Sequence, residues 1–485
     1  MADQPYSFLG SLQIPDAYHP RADDHKCGVT LLALQWAVTG SHCARNPFNA
    51  LTGTPRGWTV RFGSLDQGAG GEVAPVDKFY RLVPDQPGMG GRDVALLHLV
   101  APVKAKPTRL ASVTPTAGTP VRIVGWGSTC SDAEAGKKGR ECYPDRLRQA
   151  DTVVTPLSEC RGRPGHLCVG VRNGGIEAAN TDSGGPALVK ENGQWLVAGT
   201  AESGSNSPNQ TLYADVVKQA EWIKGIMSGA RVPADDPVPD IDVSGSASLD
   251  FCSGSVVRAP ASKVTDAALV LTNGHCVDGD RPTPGAALVD QPADRKVALQ
   301  DRGGWVQTVA HADRLVYATM TGTDAAVYRM DKTYGQLAAA GVKILDLTST
   351  PMRAGDKIRL LTADPRHTSS CAVAAVVPHL REGGWQQDDS VRYNTCTSTH
   401  GDSGAALLSE DGTTVVGVNN TSNDDGQRCT ENNPCEVDAN GAVTAVKGRS
   451  YGQQVHKLAA CLAERSTIDL SRPGCTLTHT DKPTA

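Results

Sequence analysis

Three short signatures occur twice in this chain, in the same order both times. The first set is Thr-Gly-Ser-His-Cys at 39–43, Arg-Asp-Val-Ala-Leu-Leu at 92–97 and Asn-Thr-Asp-Ser-Gly-Gly-Pro at 180–186. The second is Thr-Asn-Gly-His-Cys-Val at 272–277, Gly-Thr-Asp-Ala-Ala-Val at 322–327 and His-Gly-Asp-Ser-Gly-Ala-Ala at 400–406. The gaps from His to Asp to Ser are 51 and 90 residues in the first half, and 49 and 79 in the second. This is duplication of a whole domain rather than a short-period array. Each copy must bring three distant side chains to one place.

The residue types in that order carry a definite chemistry. A serine hydroxyl is a poor nucleophile at neutral pH and needs an adjacent base. Histidine suits the task because its ordinary pKa lies near working pH. An aspartate beside it holds the imidazole tautomer and stabilises the cation that forms. A serine in a glycine-rich turn is also able to aim backbone N–H groups at a developing oxyanion.

The order His, Asp, Ser resembles the chymotrypsin/trypsin-like serine peptidases, since the other triad orders belong to unrelated folds. The resemblance implies an all-β chain of two tandem domains. Each is expected to be a pair of antiparallel six-stranded β-barrels with a C-terminal helix. It implies a secreted serine endopeptidase working through an acyl-enzyme, with catalytic residues His42, Asp93 and Ser183 in one half and His275, Asp324 and Ser403 in the other. The oxyanion donors fall at Thr181 and Gly401, beside the serines' own N–H groups, and the substrate-binding floor at Glu177 and Thr397. Protein or peptide substrates are the expected partners, with a proteinaceous inhibitor as a further one, and no cofactor or metal is called for. Domain two is similar to a bacterial trypsin-like and glutamyl-endopeptidase-like branch more than to animal digestive enzymes.

The chain departs from the family pattern in places that leave alternatives open. Thr181 stands where the family has glycine, and a stiff β-branched residue there strains or partly collapses the hole. Asp182 corresponds to an aspartate that pairs with an Ile or Val amine released by processing, yet the chain starts Met-Ala-Asp. Either that terminus is missing or Asp182 has another partner. The start is no signal peptide and reads as a mature form with an added methionine. Asp402 is expected to meet an internal cation. Glu177 suggests a basic substrate side chain or else turns to solvent. Thr211 replaces a pocket-wall glycine, and Ala179 replaces a pocket cysteine. Thr397, with Ser398 beside it, is neutral, and His400 is read as an exposed wall residue. The alternative to two working sites is one catalytic domain with a regulatory or binding pseudopeptidase partner.

Composition agrees with that class. Hydrophobic content is 39% and charged content 20%, as in an ordinary globular protein. A formal net charge of −5 argues against nucleic acid as a partner. No apolar run reaches the roughly 18 residues a membrane span needs. The 14 cysteines include no Cys-x-x-Cys. Nearest-neighbour pairing gives Cys27–Cys43, Cys130–Cys142, Cys160–Cys168, Cys252–Cys276, Cys371–Cys396, Cys429–Cys435 and Cys461–Cys475, of which the first, third and fourth are also implied by the resemblance. Seven closed loops imply an oxidising, extracellular setting.

The domains are read as 1–229 and 248–475, with a Pro/Asp/Ser/Gly linker over 230–247 and a loose tail over 476–485. Apolar runs at Val29–Val38, Trp58–Phe62, Val94–Val100 and Val121–Trp126 read as strands. Val216, Ala220, Ile223 and Met227 repeat with helical spacing, as do Val455, Leu458, Ala459 and Leu462.

Overall fold

The computed structural model describes residues 4–14, 25–84, 90–130, 139–160, 162–204, 209–237, 242–249, 251–363, 366–394, 396, 398 and 401–479. His19, Thr397, His400 and residues 480–485 of the expected tail lie outside them. The chain divides into two compact units at residues 238 and 239.

In the first unit, the strands before residue 100 are β1 (Leu9–Gln13), β2 (His25–Ala33), β3 (Trp36–Thr39), β4 (Thr52–Gly53), β5 (Thr59–Phe62), β6 (Glu72–Arg81) and β7 (Ala95–Leu99). All but β4 close into a ring, and β4 is appended to β6. A second closed ring holds β8 (Pro120–Gly125), β9 (Arg148–Thr155), β10 (His166–Val169), β11 (Pro186–Glu191), β12 (Gln194–Gly204) and β13 (Thr211–Asp215). Every pairing within the rings is antiparallel. Closure removes the exposed strand edges that an open sheet would present. Leu12, Val29, Leu31, Val60, Phe62, Phe79 and Leu97 fill the first ring, and Val121, Leu167, Ala187, Ala198 and Tyr213 the second. Leu9, Val38, Leu96, Trp126, Leu188 and Val197 pack with Ile223 and Ile226 of helix α1 (Ala220–Met227).

The second unit repeats the plan. Strands β14 (Ser246–Leu249), β15 (Cys252–Arg258), β16 (Ala267–Thr272), β17 (Ala287–Gln300), β18 (Val306–Thr319) and β19 (Ala325–Thr333) form one ring. After β19 come helix α2 (Tyr334–Ala339) and the short β20 (Leu345–Leu347). The other ring is β21 (Lys357–Ala363), β22 (Arg366–Glu382), β23 (Trp385–Asn394), β24 (Ala406–Ser409), β25 (Thr414–Ser422) and β28 (Ser450–Gln454). Strand β20 pairs in parallel with β15 and with β25, linking the two rings. A side hairpin of β26 (Cys435–Val437) and β27 (Val443–Thr444) pairs with β22. Helix α3 (His456–Cys461) follows β28.

The all-β architecture of paired six-stranded barrels is therefore present in both halves. All seven disulfides have the nearest-neighbour pairing. Some local readings differ. Val29–Val38 is two strands, because the chain reverses at Leu34–Gln35 without a glycine or proline to mark the turn. Residues 234–236, within the stretch of linker composition, bind the first unit. Leu51 N donates to Asp236 Oδ2 at 2.6 Å, Thr52 Oγ1 donates to Ala234 O at 2.9 Å, and Lys78 pairs with Asp235. Residues 476–479 are held rather than loose. Leu477 is 4% exposed, and Thr478 accepts from Tyr317 OH at 2.9 Å and donates to Thr321 O at 2.7 Å.

The serine turn sits where one ring meets the other. Gly28 N in β2 donates to Ser183 O at 2.8 Å, and Ser253 N in β15 donates to Ser403 O at 2.8 Å. Thr39 Oγ1 then donates to Gly28 O, and Thr272 Oγ1 to Ser253 O, each at 2.8 Å. Neither turn tolerates a side chain after the serine. A Cβ on Gly184 would lie 2.1 Å from Thr39 Oγ1, and one on Gly404 2.1 Å from Ser253 O, both at positive φ. Gly193 is a useful contrast. It also has positive φ, with Asn192 before it in the β11–β12 hairpin turn, but a Cβ there meets nothing within 4 Å. Gly193→Ala is expected to cost about 1 kcal/mol from backbone strain alone. Gly184→Ala adds overlap with fixed backbone and is expected to cost about 3 kcal/mol or more. Urea unfolding of the two variants checks this, and equal losses would refute the seam as described.

Candidate active site

Asp93 follows Arg92 at the mouth of β7 and is fully buried. A buried carboxylate is tolerable only when hydrogen-bonded. Its Oδ1 accepts from His42 N at 2.9 Å and its Oδ2 lies 2.5 Å from His42 Nδ1. The second unit repeats this. Asp324 Oδ1 accepts from His275 N at 3.1 Å, and Oδ2 lies 2.8 Å from His275 Nδ1. One carboxylate thus fixes both the backbone turn and the ring of its histidine. Both histidine side chains remain partly open to solvent.

Glycines clear the ground for these pairs. A Cβ on Gly40 would lie 3.1 Å from the His42 ring and 3.2 Å from Asp93 Oδ2, and one on Gly274 2.0 Å from Thr319 O. A buried arginine braces each turn from behind. Arg81 Nε donates to Ser41 O at 2.9 Å, and Arg295 Nη1 donates to Cys276 O at 2.5 Å. Neither arginine was legible as a site residue, because each is distant in the chain and belongs to no motif.

Ser183 and Ser403 are each half-buried in their turns. Gly184, next to Ser183, backs onto Gly40, two residues before His42. In the second unit, His275, Asp324 and Ser403 line one cavity of about 90 Å³. Ser403 Oγ there donates to Asn420 O at 3.3 Å.

The residue two before each serine sits at positive φ. Gly401 has φ of 98° and Thr181 has φ of 74°. A threonine in the left-handed region is a true outlier, costing about 1–2 kcal/mol. The surroundings hold it there. Thr181 is 2% exposed, Thr181 O accepts from His25 Nε2 at 3.2 Å, and Thr181 Oγ1 donates to Trp126 O at 3.5 Å. Ser11 Oγ at 2.7 Å from His25 Nδ1 and the edge of Trp126 position that imidazole. His25 thus belongs to the support of the turn.

Asp182 has backbone partners. Gly127 N donates to Oδ1 at 2.7 Å and Ala179 N to Oδ2 at 3.0 Å. Gly125 and Gly127 make the room, since a Cβ on either would come within 2.1 Å of the carboxylate. N–H donors aimed at a carboxylate favour its charged form. Asp402 is fully buried, and Asn419 Nδ2 donates to its carbonyl at 2.8 Å. Burial, then the charge of Asp402, pushes the Tyr393 phenol far above its ordinary range.

Glu177 accepts from Asn209 N at 3.1 Å and from Asn209 Nδ2 at 3.4 Å. It lines a cavity with Asp182 and Gly127, and His42, Asp93 and Ser183 are not among that cavity's walls. Thr211 is 2% exposed, and its Oγ1 accepts from Ala178 N at 3.0 Å. Ser398 lines the cavity beside Ser403 and accepts from Asn419 Nδ2 at 2.9 Å. The cysteines beside each histidine are disulfide-bonded, so these Cys-His-Cys groups offer no thiolates to a metal. Among the described residues no helix is long and apolar enough to cross a membrane.

Two carboxylates set the electrostatics of the second unit. Burial pulls the His275 imidazole down, but the charge and hydrogen bond of Asp324, with Glu382 behind them, reverse this and raise it above 6.5. Burial pushes the Glu382 carboxyl up to about 7, against hydrogen bonds from Thr421 and Asn432. Glu382 was not singled out in the sequence, and it reaches the site from the far end of β22.

The Trypsin family model matches residues 2–223 of this chain, and the Trypsin-like peptidase domain model matches residues 252–418. The thrombin-like enzyme elegaxobin-1 of Protobothrops elegans is 28% identical over 218 residues, covering 43% of this chain and 88% of that protein. The beta-fibrinogenase mucrofibrase-3 of Protobothrops mucrosquamatus is 28% identical over 218 residues, covering 43% and 80%. Among solved structures, mouse neuropsin is 23% identical with a TM-score of 0.37, covering 46% of this chain and 95% of its own. Human heparin binding protein is 24% identical with a TM-score of 0.37, covering 48% and 95%. These relatives give no support to the bacterial branch expected for domain two.

The His275 assignment is directly measurable. In the native chain its ring protons should titrate above 6.5. Asp324→Asn removes the charge that opposes burial, so the titration should move to lower pH. An NMR titration of the imidazole that shows no downward shift would contradict the electrostatic account.

Proposed function

Since the chain belongs in both halves to the trypsin-like serine peptidases, and is a serine endopeptidase, we propose that each half carries its own working Ser-His-Asp centre and that the protein acts outside the cell. Ser183 or Ser403 attacks the scissile carbonyl as His42 or His275 takes its proton. The same imidazole returns that proton to the leaving amine, and water then resolves the acyl-enzyme. Asp93 and Asp324 hold the tautomer and balance the cation. Backbone N–H groups at Ser183 with Thr181, and at Ser403 with Gly401, receive the oxyanion.

The observation that carries this reading is the doubled carboxylate clamp. In both halves one buried aspartate engages the histidine's backbone N–H and its Nδ1. Extracellular action rests on the seven disulfides, which persist in oxidising compartments. Protein or peptide chains are the substrates. Glu177 in the first half suits a basic side chain if the Asn209 segment yields it, and Thr397 in the second carries no charge for one.

A second reading has one catalytic half and one regulatory or binding half. Thr181 favours it, because its strain falls on an oxyanion donor, and loss of one such donor costs on the order of 10²–10³ in turnover. A serine-directed fluorophosphonate, mapped by mass spectrometry, separates the two. Two working centres predict labels at both Ser183 and Ser403, each abolished by its own Ser→Ala change. One working half predicts label at Ser403 alone, with Thr181→Gly raising the labelling of Ser183 by roughly tenfold or more as the strained donor is relieved. No label at either serine overturns both.

A further inference from the structure

The cavity beside His275 has a wall that the reaction itself does not use. Strand β22 runs on to Glu382, turns through Gly383 and Gly384 at positive φ, and returns as β23 from Trp385. The tip of this hairpin is pinned on three sides. Trp385 Nε1 donates to Pro282 O at 3.0 Å, and Gly383 N donates to Cys429 O at 3.0 Å. Gly322 N, two residues before Asp324, donates to Gln386 O at 2.8 Å, and Asp388 N donates to Gly322 O at 2.9 Å. A rigid arm therefore carries Glu382 and Gln387 to the same cavity as His275, Asp324 and Ser403.

Gln387 is 2% exposed. Its Nε2 donates to Met320 O at 3.1 Å, which fixes the orientation of the amide. Its Oε1 is buried and has no hydrogen-bond partner among the described residues. Leaving a buried acceptor unmet costs about 1–3 kcal/mol, so a donor brought to this carbonyl would be favourable.

The charge around it is negative. Asp324 is engaged by His275, and Arg281 by Glu431 at 3.1 Å. Glu382 accepts from Asn432 N at 2.8 Å, and Asp424 accepts from Ser422 Oγ at 3.3 Å. Arg281 is thus paired with Glu431, and Glu382 and Asp424 are the other acidic residues of the wall besides Asp324. Met320 and Trp385 supply apolar wall beside them, which suits the methylene stem of a long side chain. A half-buried carboxyl pushed up to about 7 gains its charge when a cation comes to it.

We propose that this cavity is a specificity subsite for a cationic side chain of the substrate, lysine or arginine, whose N–H donors are taken by the Glu382 carboxylate and Gln387 Oε1. The subsite is bounded by His275, Ser398 and Ser403. It rests on the reading that the second half binds peptide substrate.

The test separates binding from catalysis. In the full chain with Ser183→Ala and Ser403→Ala, acetylated hexapeptide amides carrying one lysine, or norleucine at the same place, are titrated by calorimetry. At one position lysine should bind at least tenfold tighter than norleucine. Adding Glu382→Gln should reduce that ratio below about threefold, and Gln387→Leu should lower it independently. Equal binding of lysine and norleucine at every position, or a lysine preference untouched by both changes, overturns the proposal. Fluorophosphonate labelling of Ser403 in the Ser183→Ala chain is run in parallel. Its absence counts against catalysis by the second half, while the lysine-to-norleucine ratio still decides the subsite.

Discussion

The hydrogen bonds between a buried aspartate and a single histidine are what the rest of each unit is arranged around. A carboxylate with no exposure needs donors close by. Here both come from one residue, its backbone N–H and its Nδ1. That geometry sets the turn and the ring together, so the histidine has little freedom to point elsewhere. It also explains the residues around it. Gly40 and Gly274 leave room where a methyl group would crowd the pair or its backbone. The disulfides Cys27–Cys43 and Cys252–Cys276 tie the residue after each histidine back to the strand that touches the serine turn. Pre-positioning of this kind is how an active site avoids reorganisation during reaction.

The serine turn follows from a second constraint, the seam between rings. The N–H of a strand residue reaches the serine carbonyl, and a threonine hydroxyl binds that same residue's carbonyl. The halves use Gly28 with Thr39 and Ser253 with Thr272, at the same distances. What the seam demands is backbone geometry and a missing Cβ after the serine, and both copies keep those features. Where the demand falls on side-chain chemistry the copies diverge. The first half supports its turn with His25 and Trp126 packed edge to face, and the second fixes Asn419 between Tyr393, Ser398 and the Asp402 carbonyl.

Much of this was legible because the informative residues are local. Triad signatures, paired cysteines and apolar strand runs each occupy a few consecutive positions, and their order names a fold. What escaped the sequence depends on partners far apart in the chain. Gly125 and Gly127 belong to no motif, yet they shape the cradle of Asp182, more than 50 residues later. Arg81 and Arg295 belong to no motif and prove to be buried braces. Residues 234–236 have the composition of a spacer, but their carboxylates and carbonyls find donors at Leu51, Thr52 and Lys78. Composition reports what a segment lacks in apolar anchors and says nothing of hydrogen-bond partners waiting elsewhere.

Thr181 shows how these constraints rank against each other. Its intrinsic preference is for extended backbone, and φ of 74° works against it by about 1–2 kcal/mol. The turn nevertheless keeps the glycine-like form. Asp182 is clasped by Gly127 N and Ala179 N on one side, and Gly28 N holds Ser183 O on the other. Hydrogen bonds to an ionised group contribute roughly 1.5–3 kcal/mol each. Two of them acting on the neighbouring residue outweigh the strain of one misplaced side chain. The conformation at 181 is thus imposed by its surroundings rather than chosen by the residue. This makes the Asp182 cradle, with its room left by Gly125 and Gly127, the element on which the conformation at 181 depends.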